Sequence, residues 1–246
     1  ISDLEDVDSI TDQAGKYAKV KVGDAGIEWS EVAGNGVAAG PILIFDSGFD
    51  DLALGDIDGK GTYSLWGAWV NGSGAGCTAE IVVDPEGGQM LRLNDQSAVN
   101  LAKASLTMTP GLSAEVLMGV IEWKVKVSVL AVGSRGYFCI QDKDVGDPSG
   151  QGAFFNGDSD DIYYRASDGN TGKIVDALVD TWYVVRIFFD RLGNYAVWWV
   201  NGALEQSRIP MNAGDKFDVV RLETRASYSG NIVDVKYVKV WSLNYV

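Results

Sequence analysis

Histidine is absent from this chain of 246 residues. Its absence removes the commonest general base, the Ser/His and Cys/His nucleophile pairs, and the usual ligands of a catalytic zinc ion. Cysteine is nearly absent too. Cys77 and Cys139 either pair across a long loop in an oxidising compartment or lie as separate small apolar side chains in a core. The sequence leaves both states open.

Positive charge is also scarce. The chain has 20 lysine and arginine residues against 34 aspartate and glutamate residues, which gives a net charge of −14. The basic residues are scattered along the sequence, so the basic stripe of a nucleic-acid surface is missing. For the same reason we expect neither anionic membranes nor polyanionic sugars as partners. No apolar run approaches the length of a membrane span.

Strand patterns dominate what is present. With 30 glycines and only 5 prolines, the composition suits many short strands joined by tight turns. Residues 122–129 and 182–190 alternate apolar and polar side chains with period 2, as strands with one buried face do. The chain is therefore predicted to be all-β. The residues predicted to be buried are Trp123, Val125, Val127, Tyr183, Val185, Ile187 and Phe189.

The first 33 residues differ from the rest. They hold two short predicted strands, Tyr17–Val22 and Ile27–Val32, which flank glycines suited to a hairpin turn. Residues 34–40 are a Gly/Ala linker, and residues 41–246 form the main domain. Residues 1–33 have too few apolar side chains to fold alone. We expect this N-terminal arm to dock on its own domain or on other copies of the chain.

The main domain resembles a known superfamily. Residues 181–204 contain a Trp, an alternating apolar strand that ends in Asp, and a second strand that ends in Asn201-Gly202. This hairpin resembles that of laminin-G-like and concanavalin A-like domains, as do the opening segment around Phe45 and the closing segment 233–240. The resemblance covers residues 41–246. It implies a two-sheet antiparallel jelly-roll sandwich whose first and last strands are neighbours, a fold that hosts lectins, lyases, hydrolases and spacers.

The arm resembles something different. Ser2-Asp3-Leu4, Asp6-Val7, Gly15 and Ile27-Glu28-Trp29 resemble a short module of bacteriophage tail-fibre and virion-appendage proteins. The resemblance implies a viral structural protein on the virion surface, or otherwise outside the cell, with a role in host attachment. The arm would then join copies of the chain into a homo-oligomer or bind other virion proteins. An ordinary leading hairpin on a secreted or cell-surface carbohydrate-binding module is the alternative.

Aromatic residues suggest a glycan site on the sandwich. Trp198 and Trp199 are adjacent on one predicted strand and must point to opposite faces. The face shared by Trp199 is the more apolar, so Trp198 is predicted to face solvent, where it could stack on a sugar ring; packing under a loop is the alternative for Trp198 and for Trp66. Arg186, on the outward side of the preceding strand, and Trp66 complete the predicted glycan-binding set.

Acidic residues suggest a structural Ca²⁺. The resemblance implies an ion between the first and last strands, where Asp46 and Asp234 are the candidate ligands. Two acidic loops, 142–147 and 156–161, also carry alternate carboxylates that could converge on Ca²⁺. Solvated acidic turns are the alternative interpretation.

Catalytic motifs are not found. The Glu-x-Asp-x-x-Glu strand of laminarinase-type hydrolases does not occur, and the Gln-x-His strand of alginate lyases lacks its histidine. Residues 221–225 resemble the Arg-x-Glu strand of the same lyases, but alternating charge on a solvated sheet face explains them better. The chain is therefore predicted not to be an enzyme, with a polysaccharide lyase or hydrolase as the alternative.

Overall fold

The computed structural model describes most of the main domain and part of the arm. The residues described are 16–20, 27–31, 42–61, 63, 66–108, 118–129, 132, 135–141, 150–211, 217–225 and 230–243. Within these ranges no helix has the length and apolar character of a membrane crossing.

The described part of the chain is all-β, and the predicted fold class is confirmed. The first nine strands are β1 (Lys16–Val20), β2 (Ile27–Glu31), β3 (Ile42–Ser47), β4 (Gly55–Asp56), β5 (Val70–Asn71), β6 (Cys77–Val83), β7 (Gln89–Asp95), β8 (Lys103–Thr107) and β9 (Met118–Val129). They are followed by β10 (Arg135–Gln141), β11 (Gln151–Asn156), β12 (Asp161–Arg165), β13 (Thr171–Asp176), β14 (Tyr183–Asp190), β15 (Tyr195–Val200), β16 (Ala203–Pro210), β17 (Val219–Arg225) and β18 (Asn231–Ser242).

Two antiparallel sheets form the sandwich. The seven-stranded sheet has the order β13-β12-β11-β10-β17-β8-β5, and the nine-stranded sheet has the order β16-β15-β14-β9-β18-β7-β6-β4. Strand β3 pairs with β18, so that Asp46 lies opposite Lys239. The predicted neighbourhood of the opening and closing strands is therefore confirmed.

The core lies between the sheets and follows from the alternation. Trp123 on β9 contacts Phe138 on β10 across the sandwich, with ring centroids 5.6 Å apart. The apolar residues predicted to be buried from residues 122–129 and 182–190 all are. The predicted turn at Asn201-Gly202 is also confirmed: both residues have positive φ, 49° and 81°, as a tight hairpin turn of the favoured kind requires.

A second apolar cluster lies on the outer face of the nine-stranded sheet. Its buried members are Val120, Phe188, Val197, Trp199, Trp241 and Leu243. At this end of the sheet both faces of β14 and β15 are apolar and buried. The simple rule of one buried and one solvated face fails here.

The arm contains the predicted hairpin. Strands β1 and β2 pair antiparallel, from Lys16 opposite Glu31 to Val20 opposite Ile27. They form a two-stranded sheet of their own, separate from both sheets of the sandwich. The other arm residues (1–15, 21–26 and 32–33) and the predicted linker 34–40 lie outside the described ranges.

Candidate functional site

Trp198 does not face solvent. It is 0% exposed, its indole Nε1 donates to the carbonyl oxygen of Gly152 at 2.9 Å, and its ring centroid lies 5.3 Å from that of Tyr164. Trp199 points to the opposite face and joins the second apolar cluster. The predicted exposure of Trp198 is wrong, because alternation separates two neighbours without saying which face meets water.

The other two predicted glycan-binding residues are also engaged within the protein. Trp66 is 1% exposed and packs in the core, 5.6 Å from the ring of Phe45. Arg186 does lie on the outer face of the nine-stranded sheet, where its Nε donates to Glu122 Oε2 at 2.7 Å. The other carboxylate oxygen of Glu122 accepts a hydrogen bond from the Tyr237 hydroxyl at 2.9 Å. Trp66 and Arg186 therefore do not form a common surface with Trp198.

The predicted calcium ligands lie apart. Asp46 is opposite Lys239 on β18, whereas Asp234 lies near the start of the same strand, roughly 15 Å away at 3.3 Å per residue. Two ligands of one Ca²⁺ each lie about 2.4 Å from the ion. Asp234 is fully buried, and its two oxygens accept hydrogen bonds from Arg92 at 2.7 and 3.0 Å and from Ser128 at 2.9 Å. The structure therefore does not support Asp46 and Asp234 as ligands of a shared ion.

The acidic loops add no metal site in the described ranges. The loop at 142–147 lies outside them. In the loop at 156–161, the Asp161 carboxylate is 3.0 Å from Lys173 Nζ, and Lys173 also contacts Asp176. The described residues contain no group of three or more acidic or cysteine side chains placed to hold a metal ion.

The two cysteines are separate free thiols. Cys77 is on β6 of the nine-stranded sheet, and its Sγ donates to Asp95 Oδ1 at 3.3 Å. Cys139 is on β10 of the seven-stranded sheet. Burial, followed by the nearby carboxylate of Glu223, raises the pKa of the Cys139 thiol to about 12. Of the two states left open by the sequence, the structure has separate buried thiols.

The outer face of the seven-stranded sheet gathers most of the remaining chemistry. Cross-strand pairing aligns Lys103, Glu223, Tyr137, Phe154 and Tyr163 in one row across five neighbouring strands. A second row contains Arg221, Cys139, Gly152 and Arg165. We call this surface the arginine face, and its residues are Lys103, Arg135, Tyr137, Phe154, Tyr163, Arg165, Arg221, Glu223 and Arg225.

Three aromatic rings form a continuous strip along the arginine face. Tyr137 and Phe154 have ring centroids 5.0 Å apart, and Phe154 and Tyr163 are stacked at 5.4 Å with an interplanar angle of 21°. The guanidinium carbon of Arg135 lies 5.2 Å from the Phe154 ring centroid, and that of Arg165 lies 5.9 Å from the Tyr137 ring centroid. Aromatic stacking of this kind fixes the position of an arginine.

A buried ion pair lies beside the aromatic strip. Arg221 donates from Nε to Glu223 Oε2 at 2.8 Å, and its Nη2 is 2.7 Å from the same oxygen. Glu223 is 0% exposed, and burial raises the pKa of its carboxyl group. The second oxygen of Glu223, Oε1, is buried and has no hydrogen-bond partner in the described part of the chain; the same is true of Arg165 Nε. Buried polar atoms usually have hydrogen-bond partners, and these two belong to side chains on the same face of the sheet as the aromatic strip.

Small residues lie between Arg221 and Arg165 in the second row. Arg221 pairs across the strands with Cys139, which pairs with Gly152, which in turn pairs with Arg165. A Cβ atom on Gly152 would lie 2.5 Å from both the Cys139 Cβ and the Phe138 carbonyl oxygen. The sheet therefore requires glycine at this position. In this row two residues without large side chains, Cys139 and Gly152, separate the two arginines.

Comparisons with known proteins bear on the fold. No protein-family model matches the chain, and no curated protein sequence matches it. Among solved structures, a sialidase matches 70% of this chain and 16% of its own, with a TM-score of 0.55 and 9% identity. The carbohydrate esterase vb_24B_21 of the Shiga toxin-encoding bacteriophage phi24B matches 82% of this chain and 99% of its own, with a TM-score of 0.50 and 16% identity. A Trypanosoma rangeli sialidase matches 69% and 27%, with a TM-score of 0.50 and 12% identity.

These proteins share a fold with this chain. The chain spans only 16% and 27% of the two sialidases, and all three identities are too low to show more than architecture. The prediction that the chain is not an enzyme is nevertheless wrong as an exclusion, because a carbohydrate esterase has this fold over 99% of its own length. A missing histidine therefore gives no ground for excluding catalysis. A buried carboxyl group with a raised pKa, such as that of Glu223, is a common proton donor.

The alternation of charged residues at 221–225 is the sequence signal for the arginine face, but the solvated strand face that it predicts is wrong. Residues 221–225 alternate Arg, Glu and Arg, and we expected a solvated strand face. Arg221 is instead 6% exposed and Glu223 is 0% exposed. Their neighbours Tyr137, Phe154 and Arg165 lie on other strands, and no local pattern in the sequence links them to residues 221–225.

Proposed function

We propose that this protein binds a carbohydrate on the arginine face. The observation that carries the proposal is the aromatic strip Tyr137-Phe154-Tyr163 beside two buried polar atoms, Glu223 Oε1 and Arg165 Nε, that have no hydrogen-bond partner among the described residues. Sugar rings have apolar C–H faces that pack on aromatic rings, and hydroxyl groups that both donate and accept hydrogen bonds. One sugar can therefore satisfy both kinds of group. The sialidases and the carbohydrate esterase that share the fold act, by their names, on carbohydrates.

A matched pair of tyrosines tests the proposal. Tyr163 is half-buried and stacks on Phe154, whereas Tyr195 is half-buried on the nine-stranded sheet, with its ring centroid 5.9 Å from that of Phe188. The full chain is screened on a glycan array, and the affinity for each bound glycan is then measured by calorimetry. We expect Tyr163→Ala to weaken binding by about two- to tenfold, since an aromatic contact contributes about 0.5–1.5 kcal/mol. Tyr195→Ala is expected to bind as the wild type does. Equal losses in both variants, or binding to no glycan, would refute the assignment.

Turnover of the bound glycan is a second candidate function. It is favoured by Glu223, whose buried carboxyl has a raised pKa and a free oxygen. Such a group can give a proton to the glycosidic oxygen as the bond breaks, while the oxygen of a water molecule bonds to the anomeric carbon and the proton that this water loses restores the carboxyl group. Each glycan that binds is incubated with the protein and assayed for new reducing ends and for unsaturated products. Glu223→Gln should abolish turnover and leave binding measurable; turnover that is unchanged in this variant would exclude Glu223 as the proton donor.

For the arm we propose a role in assembly. Its hairpin, β1 with β2, forms a sheet separate from the sandwich, and its sequence resembles a phage appendage module. We propose that residues 1–40 join copies of the chain or attach it to other virion proteins, with the sandwich presented to a host glycan at the virion surface. Light scattering of the full chain and of the chain without residues 1–40 tests this proposal. An oligomer that becomes a folded monomer on deletion is expected, and a monomeric full chain would contradict the role.

A further inference from the structure

The arginine face differs in charge from the rest of the protein. The whole chain has a net charge of −14. The outward positions of β8, β10, β11 and β17, together with Arg165 on β12, concentrate cations. The cationic residues are Lys103, Arg135, Arg165, Arg221 and Arg225, and Glu223 is the one carboxylate on these four described strands. Basic residues that are scattered in sequence therefore meet on one sheet.

Two of these cations have no counter-ion among the residues that the structure describes. Glu223 is engaged by Arg221, and Asp161, at the edge of the sheet, is engaged by Lys173 at 3.0 Å. Neither Arg135 nor Arg165 forms an ion pair with any carboxylate in the described ranges. Like charges placed directly opposite each other across two strands repel, and Arg135 lies directly opposite Arg225.

Both guanidinium groups are nevertheless held in place. Arg135 Nη1 donates to the Tyr137 hydroxyl at 3.0 Å while its guanidinium lies over Phe154. Arg165 lies over the Tyr137 ring, so each of the two arginines contacts the Tyr137 side chain. Each side chain is half-buried. A bound anion would compensate the charge of two half-buried cations that have no counter-ion in the described ranges.

We infer that the glycan bound on the arginine face is anionic, with a carboxylate on its sugar ring that is held by Arg135 and Arg165. The inference rests on the proposed carbohydrate-binding function and adds the class of ligand. A carboxylate accepts two parallel hydrogen bonds from one guanidinium group, and Arg165 Nε is a donor without a partner. The aromatic strip then receives the apolar side of the ring. The net negative charge of the chain disfavours polyanionic sugars as partners, but the electrostatic potential at a binding site depends on the charged groups that surround that site.

The test uses one polysaccharide backbone with and without its charge. Polygalacturonate is compared with its fully methyl-esterified form by calorimetry, and dextran sulfate and poly-glutamate serve as polyanions of other kinds. Arg135→Gln and Arg165→Gln are compared with Arg186→Gln, which removes an arginine from the opposite sheet. Circular dichroism shows whether each variant is folded.

The inference predicts that polygalacturonate binds at least about tenfold more tightly than the ester, because charge-assisted hydrogen bonds are the stronger kind. Arg135→Gln and Arg165→Gln should each remove most of this preference, and Arg186→Gln should retain it. Equal affinity for acid and ester would overturn the inference and leave the proposed function intact, whereas failure of every glycan on the array would refute the proposed function. Dextran sulfate or poly-glutamate bound as tightly as polygalacturonate would also overturn the inference, since the face would then recognise sulfate or charge alone.

Discussion

Replacing Trp198 with phenylalanine removes a contact that spans the sandwich. The indole Nε1 of Trp198, on β15 of one sheet, donates to the Gly152 carbonyl on β11 of the other at 2.9 Å. Phenylalanine loses this hydrogen bond, which contributes about 1 kcal/mol, and its smaller ring leaves a cavity against Tyr164. Together these changes should lower the free energy of unfolding by about 2–3 kcal/mol. For a chain of this length, the melting temperature should fall by about 4–12 °C.

Trp182 provides a matched control. It is half-buried on the outer side, where its Nε1 donates to Glu86 at 3.1 Å and Lys126 Nζ lies 4.6 Å from its ring centroid. We expect Trp182→Phe to cost less than about 1 kcal/mol. Both variants are unfolded in urea and followed by far-UV circular dichroism, because a tryptophan signal would itself change. A Trp198→Phe variant as stable as the wild type but impaired in glycan binding would refute the buried placement and restore Trp198 as a sugar platform.

Three further predictions concern buried polar groups. Both cysteine thiols are buried, and the pKa of the Cys139 thiol is raised to about 12. Neither thiol should react with a thiol reagent at about pH 8 in the native protein, whereas both should react in urea. Rapid labelling of the native protein would contradict their burial. Burial raises the pKa of Glu223 above its ordinary value of 4.5, so the folded state disfavours the charged carboxylate. The unfolding free energy of the wild type should therefore fall, relative to that of Glu223→Gln, as the pH rises from about 4 to about 8. A flat difference would contradict this shift. Asp234→Asn should lower the unfolding free energy by about 1–3 kcal/mol, because it weakens the hydrogen bonds from Arg92. Added Ca²⁺ should not change this loss. A loss that depends on Ca²⁺ would restore Asp234 as a metal ligand.

The sandwich could be predicted because its strands are locally regular. A strand places successive side chains on opposite faces, so the alternation in residues 122–129 and 182–190 identified the buried set without knowledge of the partner strands. The hairpin turn at Asn201-Gly202 is equally local, since the positive φ angles depend on the residues in the turn. Neither prediction required information from elsewhere in the chain.

Predictions that depended on what covers a face were less successful. Trp198 and Trp199 were correctly separated to opposite faces, but the face with Trp199 is covered by a second apolar cluster. Arg221 and Glu223 were correctly placed on one side of a strand, but that side is buried. In both cases the period-2 pattern was right, and the exposure was set by residues distant in sequence.

The sequence by itself determined the strands, the turn at 201–202 and the side of each strand on which a residue lies, because these follow from local backbone geometry. Only the tertiary structure decided which strands are neighbours, and therefore that Arg135, Arg165 and Arg221, from strands far apart in sequence, face the same side of one sheet. The order of strands in a sheet depends on long-range pairing, which the alternation within each strand does not encode. A chain with scattered basic residues and a net charge of −14 can thus present a cationic surface.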